Sequence, residues 1–405
     1  MTDPIHDPPP DSHPTLGESR PDVVELTRTL VRIPSVNPDL EGDGDGEGPV
    51  VRHIADLLRQ WGFDTRVTEA RPGRFNVVGR LAGPGSTPPA PHPRVILNGH
   101  TDTVGVHGMS IDPFSGEVDD GRLLGRGSCD MKGGLAAILV AAHALAEAGG
   151  PERGELIVAF TADEEYASVG LEALLAEGLH GTEAIVCEPT SLEIQPANKG
   201  FTWFEITVRG RAAHGSRPEL GRDAIRDAGR LLAALDRYEL RIGDQPPHPL
   251  LGRGSIHAGT IRGGTAPPIY PDRCDLVLEA RILPGESEDE VRLGLEGIIA
   301  ELSEARPLEV ELRQGLTRRG AEIPGDDPLV TRLAGAVEAE GRTARISGMT
   351  AWVESAWFIE AGIPAVCFGP GALDHAHTAE EFVPIEELQA CARILTRYLN
   401  ARLRP

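Results

Sequence analysis

The sequence predicts an α/β protein: a mixed, mostly parallel sheet covered by helices, interrupted by a smaller α+β unit of ferredoxin-like pattern. Three observations carry this. Apolar strands alternate with helical segments from Val95 to Glu188, as in a largely parallel sheet. Near Asn198 the texture changes to β-α-β-β-α-β, the ferredoxin-like order. After Gly315 the first texture returns. The spacing therefore divides the chain into a discontinuous unit, 15–198 plus 316–405, an insert at 199–315, and a disordered tail at 1–14.

The elements follow in order. Asp22 to Ile33 reads as a short amphipathic helix, with Val23, Leu26, Leu30 and Val31 on one side. The acidic, glycine-rich stretch Asp39 to Gly48 lacks the EF-hand pattern and reads as a solvated loop. Val50 to Trp61 is a helix, Asn76 to Leu81 a strand, and Pro84 to Pro93 a turn-rich connection. Strand Val95 to Leu97 runs into His100 and Asp102. Gly125 to Gly134 opens the apolar helix Leu135 to Ala148. Strand Leu156 to Phe160 ends in Asp163-Glu164-Glu165, helix Leu171 to Glu177 follows, and strand Ala184 to Cys187 ends in Glu188. In the insert, strands are expected at Thr202 to Val208, Ser255 to Ile261, Asp272 to Ile282 and Leu308 to Leu312. Helices are expected at Ala224 to Leu240 and Asp289 to Ala305. Helices Leu329 to Glu340 and Trp352 to Glu360, strand Ala365 to Phe368 and the closing helix Ile385 to Arg402 complete the first unit.

Composition narrows the function. Acidic residues outnumber basic ones 62 to 39, a formal net charge of -23. A nucleic-acid backbone would be repelled, and bound cations would offset part of this charge. The five cysteines are scattered and lack CxxC spacing, which argues against a disulfide framework or a cysteine zinc site and fits a reducing, cytoplasmic setting. The N-terminus has neither a basic nor an apolar segment of a signal peptide. No uninterrupted apolar run reaches the roughly 18 residues of a membrane helix.

The candidate chemistry lies at the strand ends. In an extended chain, residues two apart share a face, which makes His100 and Asp102 neighbours. A metal-bound imidazole commonly has its other ring nitrogen fixed by a second group such as a carboxylate. Ligands beyond the carboxyl ends of strands converge in this class of sheet. His100, Asp130, Glu165, Glu188 and His377 supply the five histidine and carboxylate ligands that two metals sharing a bridging carboxylate require. Glu164 is left over beside Glu165, as a general base acting on a metal-activated water requires. Successive side chains leave an extended strand end in different directions, which separates the two glutamates. Singly, each residue has a plainer reading: Glu164 and Glu165 a solvated turn, Asp130 a helix cap, Glu188 a strand-end charge, His375 and His377 loop histidines. Jointly, they fall on one predicted edge.

In these residues the chain resembles the co-catalytic zinc metallopeptidase and deacylase family. That family includes acetylornithine deacetylase, succinyl-diaminopimelate desuccinylase, aminoacylase and glutamate carboxypeptidase. The blocks that carry the resemblance are NGHTDTV, GRGSCDMKGG, ADEE, CEPT, AAHGSRPELG and GPG…AHTAEE, in that order and over nearly the whole chain after Pro21. The resemblance implies a zinc-peptidase-like catalytic unit binding two divalent metal ions per subunit: zinc, with cobalt or manganese as alternatives. It makes His100, Asp130 and Glu188 the ligands of one metal and Asp130, Glu165 and His377 those of the other. Asp102 then orients His100, and Glu164 is the base and proton shuttle. His214 looks like the histidine that reaches the opposite subunit's active site and stabilises the oxyanion. Arg281 looks like the arginine that binds a substrate carboxylate. The insert becomes a dimerisation and lid domain of a homodimer.

There are two departures from the family's pattern. The asparagine often found before the segment Pro267 to Pro271 is missing. Where acetylornithine deacetylases often have Thr-Asp-Ala, this chain has Trp352-Val353-Glu354-Ser355. The expected activity is removal of an N-acyl group from an N-acyl amino acid by attack of a metal-bridged water. The alternatives are a carboxypeptidase or dipeptidase and, in another class, a non-catalytic metal-dependent binding paralogue. The expected partners are a small N-acyl amino acid or peptide and a second copy of the chain, with no nucleic acid and no membrane.

Overall fold

The computed structural model describes residues 21–84 and 92–405. The tail expected at 1–14 and most of the Pro84 to Pro93 connection lie outside the described residues. The main sheet has six strands, in the order Asp64–Arg71, Arg74–Ala82, Glu155–Thr161, Arg94–His100, Glu183–Val186, Ala365–Cys367. The last three pairings are parallel and the first two antiparallel, so the sheet is mixed and mostly parallel.

Both faces of the sheet are buried, and the strands alternate between them. Val95, Leu97, Leu156, Val158 and Ile185 pack in one core with helices Val23–Val31, Gly133–Glu147 and Ile385–Leu403. Ile96, Ile157, Ala159, Ala184 and Val186 pack in the other, against Leu171 and Leu174 of helix Val169–Ala176 and Phe358 of helix Ser355–Glu360. Each of the valine, leucine, isoleucine and phenylalanine side chains taken fully from water contributes about 1.5–3 kcal/mol. By length and average composition the stretch Ser128–Glu147 could cross a membrane, although Asp130, Lys132 and His143 keep any uninterrupted apolar run short of that length. An 18-residue window of it is 78% buried within the protein, where helix Gly133–Glu147 forms the centre of the core.

The segment from Gly200 to Arg318 forms a four-stranded antiparallel sheet, in the order Ser255–Gly263, Arg273–Ile282, Gly200–Arg209, Glu309–Arg318. Helices Ala224–Gly243 and Glu288–Ala305 pack on it through Leu231, Leu235, Leu295 and Ile298, which meet Phe204, Ile206, Leu276 and Leu278. Local chemistry starts these helices where they are needed. Asp223 caps the first, and Ser287 with Glu290 forms a capping box on the second.

Three local expectations change. Strand Asp64–Arg71 was not foreseen, because its residues, half of them exposed and none buried, show no apolar stripe. The last helix before the Ala365 strand begins at Ser355, not Trp352. The loop at 39–48 is not wholly solvated: Asp39 pairs with Arg71 and Arg74, and Glu47 is buried against Arg74.

Candidate metal centre

His100 is the last residue of its strand, buried at the sheet's carboxyl edge. Glu164 and Glu165 follow the neighbouring strand Glu155–Thr161, and Glu188 follows strand Glu183–Val186 on the other side. Asp130 lies in an irregular turn, Ser128–Lys132, with φ -121 and ψ 95. It does not cap the following helix, whose N-cap, Lys132, makes no side-chain capping bond. Gly134 allows this helix to sit against the Glu188 strand: a Cβ there would overlap the carbonyl of Cys187. The glutamates diverge through a turn rather than an extended strand end, since Asp163 is left-handed at φ 67.

The structure brings these side chains together. His100 Nε2 lies 2.9 Å from Asp130 Oδ1 and 4.0 Å from both Glu164 Oε2 and Glu188 Oε2. His377 Nε2 lies 3.4 Å from Asp130 Oδ2 and 3.1 Å from Glu165 Oε2. The Asp130 carboxylate thus faces one histidine with each oxygen. Two overlapping groups have donor atoms close enough for a cation: His100, Glu164 and Glu188, and His100, Asp130 and Glu165. Glu164 therefore lies within reach of the same position as Glu188.

The electrostatics show why this cluster fits a cation. Burial, then the neighbouring carboxylates, hold Glu164 and Glu188 well above the ordinary carboxylate pKa. Glu188 Oε1 is buried, with no hydrogen-bond partner among the described residues. Burial opposes charge on the histidines, but the acidic neighbours override it. His100 is raised well above the usual imidazole value, and His377 is pushed up to about 11. Four carboxylates crowded around two histidines favour the uptake of positive charge. His, Asp and Glu together suit zinc and related divalent ions.

Asp102 does more than face His100. Its carbonyl lies 3.0 Å from His100 Nδ1 and its carboxylate 3.6 Å away. That carboxylate also accepts the backbone N–H groups of Glu164 at 3.1 Å and Glu165 at 3.3 Å, and Asn37 Nδ2 at 2.7 Å. It ties the glutamate turn to the histidine strand. Behind it Arg74 binds Asp163 and Glu47. Glu354, at the departure from Thr-Asp-Ala, is buried and accepts Thr161 Oγ1 at 2.6 Å and Ser168 Oγ at 2.8 Å. Sequence reasoning assigned no role to Asn37, Arg74, Glu354 or Glu381. Two of them carried a signal: Glu381 by its place in the AHTAEE block, and Glu354 by its place in the segment that departs from Thr-Asp-Ala.

Two expected site residues stand apart from the cluster within one chain. His214 is exposed on the insert, with Nδ1 2.8 Å from Ser216 Oγ. Arg281 pairs with Glu279 Oε1 at 2.7 Å and lies over the Phe201 ring. Among the described residues, no hydrogen bond or ion pair links either one to the acidic cluster.

Residues 96–401 match the model of peptidase family M20/M25/M40. The chain is 34% identical over 362 residues to an acetylornithine deacetylase of Myxococcus xanthus, covering 86% of this chain and 90% of that one. It is 28% identical to the N-formyl-4-amino-5-aminomethyl-2-methylpyrimidine deformylase of Bacillus subtilis, covering 94% and 95%. The fold matches that of a tripeptidase from Staphylococcus aureus with a TM-score of 0.78 at 20% identity, over 95% of this chain and 98% of that one. Sequence, sheet and site converge: the chain belongs to peptidase family M20/M25/M40 and is a hydrolase acting on amide bonds.

Proposed function

We propose that the protein removes the N-acyl group from an N-acyl amino acid, in the manner of acetylornithine deacetylase or succinyl-diaminopimelate desuccinylase. The observation that carries this is the meeting of His100, Asp130, Glu164, Glu165, Glu188 and His377 at one sheet edge. His100, Asp130 and Glu188 would hold one divalent ion, and Asp130, Glu165 and His377 a second, with zinc the expected metal. Bound there, the ions supply Lewis acidity and lower the pKa of a water.

The chain's own groups complete the reaction. Glu164 takes the proton of the attacking water as its oxygen bonds to the acyl carbon. It returns that proton to the amine nitrogen as the carbon–nitrogen bond breaks. Asp102 fixes His100 and the Glu164–Glu165 backbone. Arg281 binds the substrate's carboxylate, and His214 stabilises the oxyanion in the active site of a second subunit. In this reading residues 15–198 and 316–405 form the catalytic domain. Residues 199–315 form the dimerisation and lid domain of a cytoplasmic homodimer. With the five assigned ligands filling both metal positions, Glu164 is left for the base, which stands against the non-catalytic alternative.

Hydrolysis of a dipeptide or C-terminal residue is the second reading. The missing Thr-Asp-Ala weakens a narrow acetylornithine assignment and so leaves room for it. A screen of acetylated, succinylated and formylated amino acids beside dipeptides separates the two. The proposal expects higher kcat/KM on an acyl amino acid; faster turnover of every dipeptide would replace it with the second reading.

A further inference from the structure

One buried carboxylate near the centre has no part in the chemistry above. Glu381 is fully buried, four residues beyond His377 on the same segment. Its Oε1 accepts the backbone N–H groups of Cys129 at 3.0 Å and Asp130 at 3.1 Å. Its Oε2 is paired with the Arg126 guanidinium, whose Nε donates to the Gly105 carbonyl at 2.9 Å. Its own carbonyl accepts the Gly125 N–H at 3.0 Å. Two N–H groups of the turn carrying Asp130, and one just before it, are therefore held by a residue from the far end of the chain.

That turn needs an external hold. Asp130 and Met131 have non-helical backbone angles, and the next helix gives the turn no side-chain cap. Asp130 must also present two oxygens at once: Oδ1 lies 2.9 Å from His100 Nε2, and Oδ2 lies 3.4 Å from His377 Nε2. A small rotation of its backbone would move both oxygens together. The other acidic turn is built the same way, since the Asp102 carboxylate takes the N–H groups of Glu164 and Glu165.

We infer that Glu381 is a positioning residue: its carboxylate, anchored by Arg126, fixes the angle at which Asp130 faces both metal positions. The inference rests on the reading of Asp130 as the bridging ligand. Groups that orient metal ligands through hydrogen bonds typically change metal affinity by about 10–100-fold when removed. Gln at position 381 keeps an oxygen for the two N–H groups but loses the charge facing Arg126. Ala removes both.

The test is zinc affinity of metal-free Glu381→Gln, Glu381→Ala and Asp130→Asn proteins, measured by competition with a chromogenic chelator and expressed per folded chain from circular dichroism. The visible spectrum of the Co(II)-loaded proteins reports ligand geometry. The expected result for Glu381→Gln is an affinity for at least one ion lowered by about 10-fold or more, with altered cobalt bands. Glu381→Ala should lose more; if it does not fold, Glu381→Gln alone decides. Unchanged affinity and spectrum in Glu381→Gln, or a loss that only tracks the unfolded fraction, would overturn the inference. Asp130→Asn separates the two levels. If it keeps wild-type affinity, the ligand reading fails and the inference falls with it. If it loses metal while Glu381→Gln does not, only the inference fails.

Discussion

Replacing Arg74 with Leu should destabilise the protein strongly, and in a pH-dependent way. Arg74 Nε lies 3.0 and 3.1 Å from the two Glu47 carboxylate oxygens, and Nη1 lies 2.9 Å from Asp163 Oδ1 and 3.1 Å from Asn37 Oδ1. Arg74 is 2% exposed, and Glu47 and Asp163 are 0% exposed. Without the guanidinium, two carboxylates stay buried with their main counter-charge gone. Removing one partner of a buried ion pair costs about 3–5 kcal/mol, or roughly two to four orders of magnitude in the unfolding equilibrium. Burial already raises Glu47 and Asp163 above ordinary carboxylates, and Arg74 is among the groups that pull both down. The substitution therefore raises them further. A carboxylate whose folded pKa exceeds its unfolded value costs stability above the folded value, and the cost fades as pH falls toward the unfolded one. Urea unfolding of the metal-free protein, followed by far-UV circular dichroism, should show the full penalty at about pH 8 and a smaller one at about pH 5. A penalty below about 1 kcal/mol, or one that grows on acidification, would refute the reasoning.

Two further outcomes concern the site. Glu164→Gln should keep its metal and lose about 10²–10⁴-fold or more in rate, while Glu165→Gln should bind metal more weakly. Metal content and hydrolysis rate on the two purified proteins check this, and the opposite pattern would exchange the roles. Mixing inactive His214→Ala subunits with inactive Glu164→Ala subunits should restore activity, because one hybrid site then holds both groups. No recovery despite demonstrated subunit exchange would place His214 outside the neighbouring site.

The sheet and its acidic edge were legible because their signals are local. The apolar run Val95 to Leu97 and the i, i+2 pair His100 and Asp102 can be read within ten residues. Each acidic residue at the ends of the Glu155–Thr161 and Glu183–Val186 strands follows its own apolar run. What was not legible is the support behind them. Asn37 reaches Asp102 across 65 positions, and Glu381 reaches Asp130 across 251. Neither bond leaves any periodicity in the chain. Glu354 was assigned to a helix from Trp352, but it precedes the helix with its carboxylate taken by Thr161 and Ser168. The Asp64–Arg71 strand was missed because an exposed edge strand needs no apolar stripe to pair.

The central claim is that the cluster at the sheet edge is a two-metal centre for amide hydrolysis. Metal content per chain, measured with the hydrolysis rate of an N-acyl amino acid, tests it most directly when the protein is stripped with a chelator and then titrated with zinc. The account predicts that activity disappears on stripping and returns with zinc, reaching its maximum at two ions per chain. Undiminished hydrolysis by protein carrying no metal would contradict it.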